Sequence, residues 1–157
     1  MKWYSLAAKQ GDADAQFSLG GMYDNGEGVP QDYKTAEKWY TLAAKKGNAN
    51  AQQILGNMYD AGRGVPKDDK TAVKWYTLAA KQGNAFAQTN LGVMYYNGRG
   101  VLKDKVHAHL WWSIAASSGS KSATKIRRIV ERQMTPAQIS EAQKLALECV
   151  RKKYKGC

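Results

Sequence analysis

The chain has 157 residues, 43% of them hydrophobic, and a formal net charge of +11. It contains no apolar run near the ~18 residues that a membrane-spanning helix needs, so no membrane insertion is expected. Neither of its two cysteines lies in a Cys-x-x-Cys pair or near a histidine, and no Gly-x-Ser-x-Gly, Walker or His-Glu-x-x-His motif occurs. The sequence therefore predicts no enzyme, no metal and no cofactor.

In chain order, Met1-Lys2-Trp3-Tyr4 lacks the apolar stretch of a signal peptide. Trp3, Tyr4, Leu6, Ala7 and Ala8 instead match Trp39, Tyr40, Leu42, Ala43 and Ala44, so the chain is expected to start inside a repeat and to be a piece of a longer array. A shift of 36 residues lays Ala7–Leu42 on Ala43–Leu78 with 25 of 36 positions identical, and the next shift still matches 20 of 36. Self-similarity at that period signifies stacked supersecondary units, each burying its core against its neighbours. One repeat domain over 1–157 follows, with a partial repeat at 1–11, full repeats at 12–47, 48–83 and 84–119, and capping helices over 120–157. An uncapped apolar start also predicts self-association through Trp3, Tyr4 and Leu6.

Within Gly47–Gly83 the order is a polar start, a helix over Ala51–Tyr59, a Gly62-Arg63-Gly64-Val65-Pro66 loop, and a helix over Asp68–Lys81. Asp32, Asp68 and Asp104 are placed to cap second helices, and Gly11, Gly47, Gly83 and Gly119 to end them. Gly20, Gly56 and Gly92 recur in mid-helix, where glycine costs about 1 kcal/mol relative to alanine. Close approach of Trp39, Trp75 or Trp111 is the expected reason, with these aromatics in the core.

After Gly119 the run Ser120–Arg132 loses the glycine, the tyrosine and the loop, and reads as a capping helix. Thr135-Pro136-Ala137-Gln138 is a capping box opening a last helix whose Ile139, Ala142, Leu145, Ala146 and Cys149 share one face. Residues 119–157 hold 10 Lys and Arg against 3 Asp and Glu. That excess suits an acidic partner, or a solvated face; no nucleic-acid motif accompanies it, and no specific nucleic acid is expected. Cys149 and Cys157 are either paired by a chain that turns back near Gly156, which would favour a secreted or periplasmic setting, or are two free thiols; no compartment is assigned. His107 and His109 point about 200° apart on a helix. They read as solvated or half-buried substitutions.

The pattern Ala-x-Ala-Gln-x-x-Leu-Gly-x-Met-Tyr-x-x-Gly-x-Gly-Val, followed by Asp, Ala, Trp and Ala-Ala-x-x-Gly over residues 3–119, resembles the Sel-one-like repeat (SLR), a relative of the tetratricopeptide repeat. The resemblance implies an all-α fold, a right-handed α/α superhelix of 36-residue helix-turn-helix repeats, acting as an adaptor or recognition scaffold. Some cysteine-rich bacterial relatives carry a disulfide in every repeat, and β-lactam binding or hydrolysis is ascribed to some of them; this chain lacks those repeat cysteines. A cell-wall or β-lactam-interacting enzyme is the alternative reading.

On the first helix of each repeat, positions 14, 17, 18, 21, 24 and 25 in the first-repeat register vary and occupy one arc, while Ala13, Ala15, Gln16, Leu19, Gly20, Met22 and Tyr23 recur on the other. First helices line the concave surface of an α-solenoid. The varying stripe runs Asp14, Phe17, Gly21, Asp24; Asn50, Gln53, Asn57, Asp60; Phe86, Thr89, Val93, Tyr96; and Ser122, Lys125, Ile129, Arg132. A groove for an extended peptide or protein partner is expected there, with Phe86, Val93 and Tyr96 as apolar anchors and Asn57, Asn90 and Asn97 bonding its backbone.

Overall fold

Nine helices in chain order make up the residues described by the computed structural model, which are 2–157, with side chains from residue 5 onward. They are α1 (Lys2–Lys9), α2 (Ala13–Asn25), α3 (Tyr33–Lys45), α4 (Ala49–Ala61), α5 (Asp69–Ala80), α6 (Ala85–Asn97), α7 (Lys105–Ser117), α8 (Lys121–Glu131) and α9 (Pro136–Arg151). No strand occurs among the described residues. Trp3 and Tyr4, named above for self-association, lie outside the described side chains; Leu6 is exposed. The chain divides into an N-terminal unit, up to Trp75, and a C-terminal unit, Tyr76–Cys157.

Local chemistry sets the helix ends. Asp12, Asn48, Asn84 and Ser120 cap α2, α4, α6 and α8 by accepting the N–H three residues on. Asp32 and Asp104 cap α3 and α7, and Asp68 accepts the N–H groups of Lys70 and Thr71 at the start of α5. α4 runs two residues beyond the expected Ala51–Tyr59 at each end, because Asn48 caps it and the left-handed Gly62 terminates the last turn. Each second helix then stops in the same way. Gly47, at φ 92°, lets its own N–H reach Ala44 O at 3.0 Å and the Asn48 N–H reach Ala43 O at 3.1 Å. That closes one helix and positions the cap of the next within two residues.

A buried glutamine completes this joint. Gln16 Nε2 donates to Ala8 O, and Gln52 Nε2 to Ala44 O, each at 3.0 Å, so a helix-terminal carbonyl finds a donor inside the core. In the N-terminal unit the core is Ala36, Tyr40, Ala43, Ala44, Ala51, Leu55 and Met58, flanked by Trp75 and Phe17 among others. In the C-terminal unit Ala108, Trp112, Ala115, Ala123 and Val130 form a buried cluster, and Gln88 repeats the glutamine bond, to Ala80 O.

Of the mid-helix glycines, Gly20 and Gly92 do face an aromatic ring, but it is the residue after the expected tryptophan. A Cβ on Gly20 would stand 2.7 Å from the Tyr40 ring, and one on Gly92 would stand 2.5 Å from Trp112 Nε1. Tyr40 and Trp112 are buried, whereas Trp39 and Trp75 are only partly so; of the expected trio, Trp111 alone is fully buried. A step of 100° along the helix decides which neighbour meets the glycine slot.

The capping box of α9 is present, with Thr135 accepting from Gln138 N–H and Gln138 accepting from Thr135 N–H. Ala142, Ala146 and Cys149 bury one face of α9, which packs on α7. The chain reverses at Lys153 and Tyr154, both left-handed, earlier than the reversal expected near Gly156, and Cys149 and Cys157 are joined with Cα atoms 5.7 Å apart. Tyr154 N–H closes this turn on Cys149 O at 2.8 Å. Lysine thus occupies the post-helix position that glycine takes in the repeats.

Candidate functional site

In the N-terminal unit the varying face belongs to α2 and α4. Asp14 and Asn50 are exposed there, and Gln53, Asn57 and Asp60 are half-buried. Asn48 Nδ2 donates to Asp14 Oδ1 at 2.9 Å, joining the starts of the two helices. Phe17 is not a free anchor, since its ring lies 5.7 Å from that of Tyr40 at a tilt of 46°. The repeat register puts Asp24 on the open stripe, but its side chain is only 10% exposed. It accepts from the Tyr40 hydroxyl at 3.4 Å and from Arg63 Nη2 at 3.2 Å. Burial first, and the Asp24 charge second, hold the Tyr40 phenol well above its usual range. The arginine, in the next Gly-x-Gly loop, also lies over the Tyr33 ring, 5.3 Å from its centre. This end of α2 is a structural clasp.

The C-terminal unit presents a different surface on α6 and α8. Phe86 is 75% exposed at the start of α6, beside a cleft of about 390 Å³ lined by Ala85, Phe86, Lys121, Ser122 and the 118–120 turn. Thr89 and Asn90 are half-buried, and Asn97 is exposed. The Thr89 hydroxyl donates to Ala85 O, and its carbonyl accepts the Trp112 indole N–H at 3.0 Å. Val93 is half-buried against the Trp112 cluster. Tyr96 is likewise half-buried; its ring lies 5.9 Å from Trp112, and its hydroxyl donates to Gln133 Oε1 at 2.9 Å. Of the three expected anchors, Phe86 alone projects freely. On α8, Lys125, Ile129 and Arg132 are all exposed, Ile129 to 50%.

Of the two histidines, His107 is half-buried, within the sequence expectation, and His109 departs from it. His107 Nδ1 lies 2.7 Å from Asp104 Oδ2 and the ring stacks on Tyr95. Burial works against the Asp104 charge, but hydrogen bonds from His107 and from the Val106 N–H outweigh it and lower its pKa. His109 is fully buried rather than solvated or half-buried, with Nε2 at 2.8 Å from Glu131 Oε1 and Nδ1 at 3.2 Å from Ser113 Oγ. The Ser-His-Glu order resembles a hydrolase triad, but the serine is one turn along the same helix and lines neither this cleft nor the smaller one beside Cys149. The group works as a tether from α7 to α8. The sequence signalled it weakly: His109 stands where the earlier repeats hold Glu37 and Val73, both half-buried, and one acid, Glu131, lies on the following helix. Among the described residues no group of three or more His, Cys, Asp or Glu is placed to hold a metal, and no helix is long and apolar enough to cross a membrane.

The Sel1 repeat model matches residues 1–12, 13–48, 49–84 and 85–120. No curated protein matches the chain in sequence. Among solved structures, the chain is similar to a protective antigen of uropathogenic Escherichia coli strains displaying an SLR fold, at 34% identity and a TM-score of 0.83. That match covers 94% of this chain and 32% of the antigen, so the chain spans about a third of its length. A Sel1 repeat protein from Oxalobacter formigenes is 42% identical with a TM-score of 0.75, covering 80% of this chain and 94% of that one. The Helicobacter pylori cysteine rich protein B is 25% identical with a TM-score of 0.63, covering 80% and 90%. The fold is the all-α solenoid of 36-residue repeats that these neighbours share.

Proposed function

The chain belongs to the Sel1 repeat family, whose solenoids generally serve as interaction scaffolds, and from that premise we propose that it is a non-enzymatic scaffold binding a peptide or protein partner on the open faces of its first helices. One observation carries the reading. Phe86 holds its ring in solvent beside a cleft, while the recurring residues of the same helix, Ala87, Gln88, Leu91 and Met94, are buried. A phenylalanine left exposed forgoes about 2 kcal/mol that burial against a partner would recover. On α8, Ile129 offers a second exposed apolar contact on the same arc. Asn90 and Asn97 are the residues assigned to the partner's backbone; on the N-terminal unit's own polar face Asn57 has that role, and Asn50, Gln53 and Asp60 line the same stripe.

A selection from a displayed peptide library, run against the wild type and the Phe86→Ala/Ile129→Ala variant, tests this. Tyr96 is left unchanged because it holds Gln133. Peptides captured by the wild type and lost by about tenfold or more in the folded variant are the expected result. Equal capture by both proteins would remove the α6/α8 face from the function.

A further inference from the structure

The C-terminal unit also carries a signature of what its partner is made of. Residues 76–157 hold 14 Lys and Arg against 4 Asp and Glu, whereas residues 1–75 hold 10 against 9. Three of the four acids are already engaged: Asp104 with His107, Glu131 with His109 and Arg127, and Glu148 with Lys152. Along α8 and its C-cap residue Arg132, the cations Lys121, Lys125, Arg128 and Arg132 follow at intervals of four, three and four residues, which places them in one stripe about 16 Å long. All four are exposed, and no ion pair joins any of them to an acid among the described residues. The buried residues of this helix, Ala123 and Val130, lie on the opposite side.

The stripe begins where the apolar cleft is. Lys121 lines the cleft together with Phe86, so an exposed aromatic ring and the first cation of the row share one cavity. Lys103 adds a further positive charge 5.9 Å from the Tyr96 ring centre. Resting on the reading that the α6/α8 face binds peptide, we propose that this face takes an acidic peptide: an apolar side chain seats against Phe86 in the cleft, and Asp or Glu side chains lie along Lys125, Arg128 and Arg132. Alternate side chains of an extended strand are about 6.8 Å apart and match the spacing of cations one helical turn apart closely enough for paired contacts. A single-stranded nucleic acid suits the face less well. Such strands are held by successive stacking platforms, and here one ring stands at the end of the stripe while the Tyr96 ring is packed against Trp112.

Fluorescence polarisation on the full chain tests the proposal with three probes: a labelled peptide alternating Glu and Ser with a terminal Trp, its Gln-for-Glu counterpart, and oligothymidine. The Glu peptide is expected to bind roughly tenfold tighter than the Gln peptide and to weaken as salt rises. Lys125→Glu/Arg132→Glu is expected to lower its affinity roughly tenfold, and Phe86→Ala several-fold, with unchanged circular dichroism. Equal binding of both peptides, lost with Phe86→Ala, overturns the acidic preference and leaves the peptide-binding face intact. Peptide binding that charge reversal and Phe86→Ala both leave unchanged overturns the location as well. Tighter binding of oligothymidine, with displacement of the Glu peptide, overturns the partner class in favour of nucleic acid.

Discussion

The two units solve one packing problem with different polar chemistry. In the N-terminal unit Gly20 admits the Tyr40 ring, whose hydroxyl reaches the buried Asp24, and Arg63 from the following loop balances that carboxylate. In the C-terminal unit Gly92 admits the larger Trp112, whose indole N–H finds the Thr89 carbonyl, and Tyr96 stands where Asp24 did and turns outward to Gln133. A backbone slot therefore dictates that an aromatic ring enters, while the group at the ring's far end decides what the neighbouring surface becomes. An ionic clasp occupies that surface in the first case. In the second no carboxylate remains on the α6 face, and the surface beside α8 is left cationic and apolar.

Removing the ring is the severest way to break the comparison. Trp112→Ala is expected to destabilise the protein by about 4 kcal/mol, read as a shift in urea midpoint, because it empties a slot that a mid-helix glycine cannot refill. Tyr40→Ala should cost a little less, since the ring is smaller, although it also removes a donor from Asp24.

A milder change separates the polar ends. Asp24→Ala leaves the buried Tyr40 hydroxyl without its acceptor and Arg63 without its partner, and is expected to cost about 2 kcal/mol. Tyr96→Phe deletes a bond to the exposed Gln133 and should cost about 0.5 kcal/mol or less in the same urea unfolding experiment. Equal losses would show that the clasp in the N-terminal unit has no more energetic weight than a surface hydrogen bond.

The smallest expected effect concerns the helix caps. Hydrogen bonds from the Thr35 and Thr71 side chains, and then from their backbone N–H groups, lower the pKa values of Asp32 and Asp68. A depressed folded-state pKa stabilises the protein above the unfolded value, near 3.9, and this contribution is lost as pH falls through the folded pKa. Melting temperature should therefore drop below about pH 4 more steeply in the wild type than in Asp32→Asn/Asp68→Asn, whose caps do not titrate. Asp104, held down by His107 as well, keeps the third cap out of this comparison.

Features that depend on a few consecutive residues were legible in the amino-acid sequence: the 36-residue period, the glycine stops, the aspartate caps and the Thr135–Gln138 capping box all sit where local backbone chemistry puts them. The exposure of Phe86 and the basic character of α8 were legible too, because repeats within one chain reveal which helix positions packing leaves free. Tertiary structure decided the rest. Whether Trp39 or Tyr40 fills the glycine slot, whether Asp24 faces solvent or Arg63, and whether His109 is solvated or bound to Glu131 depend on rotations and neighbours contributed by residues 16 to 39 positions away. Hydrogen-bonding groups at a helix end are satisfied within one turn, so the local sequence contains their solution; a buried charge is satisfied only by whatever the packing of distant helices brings within reach.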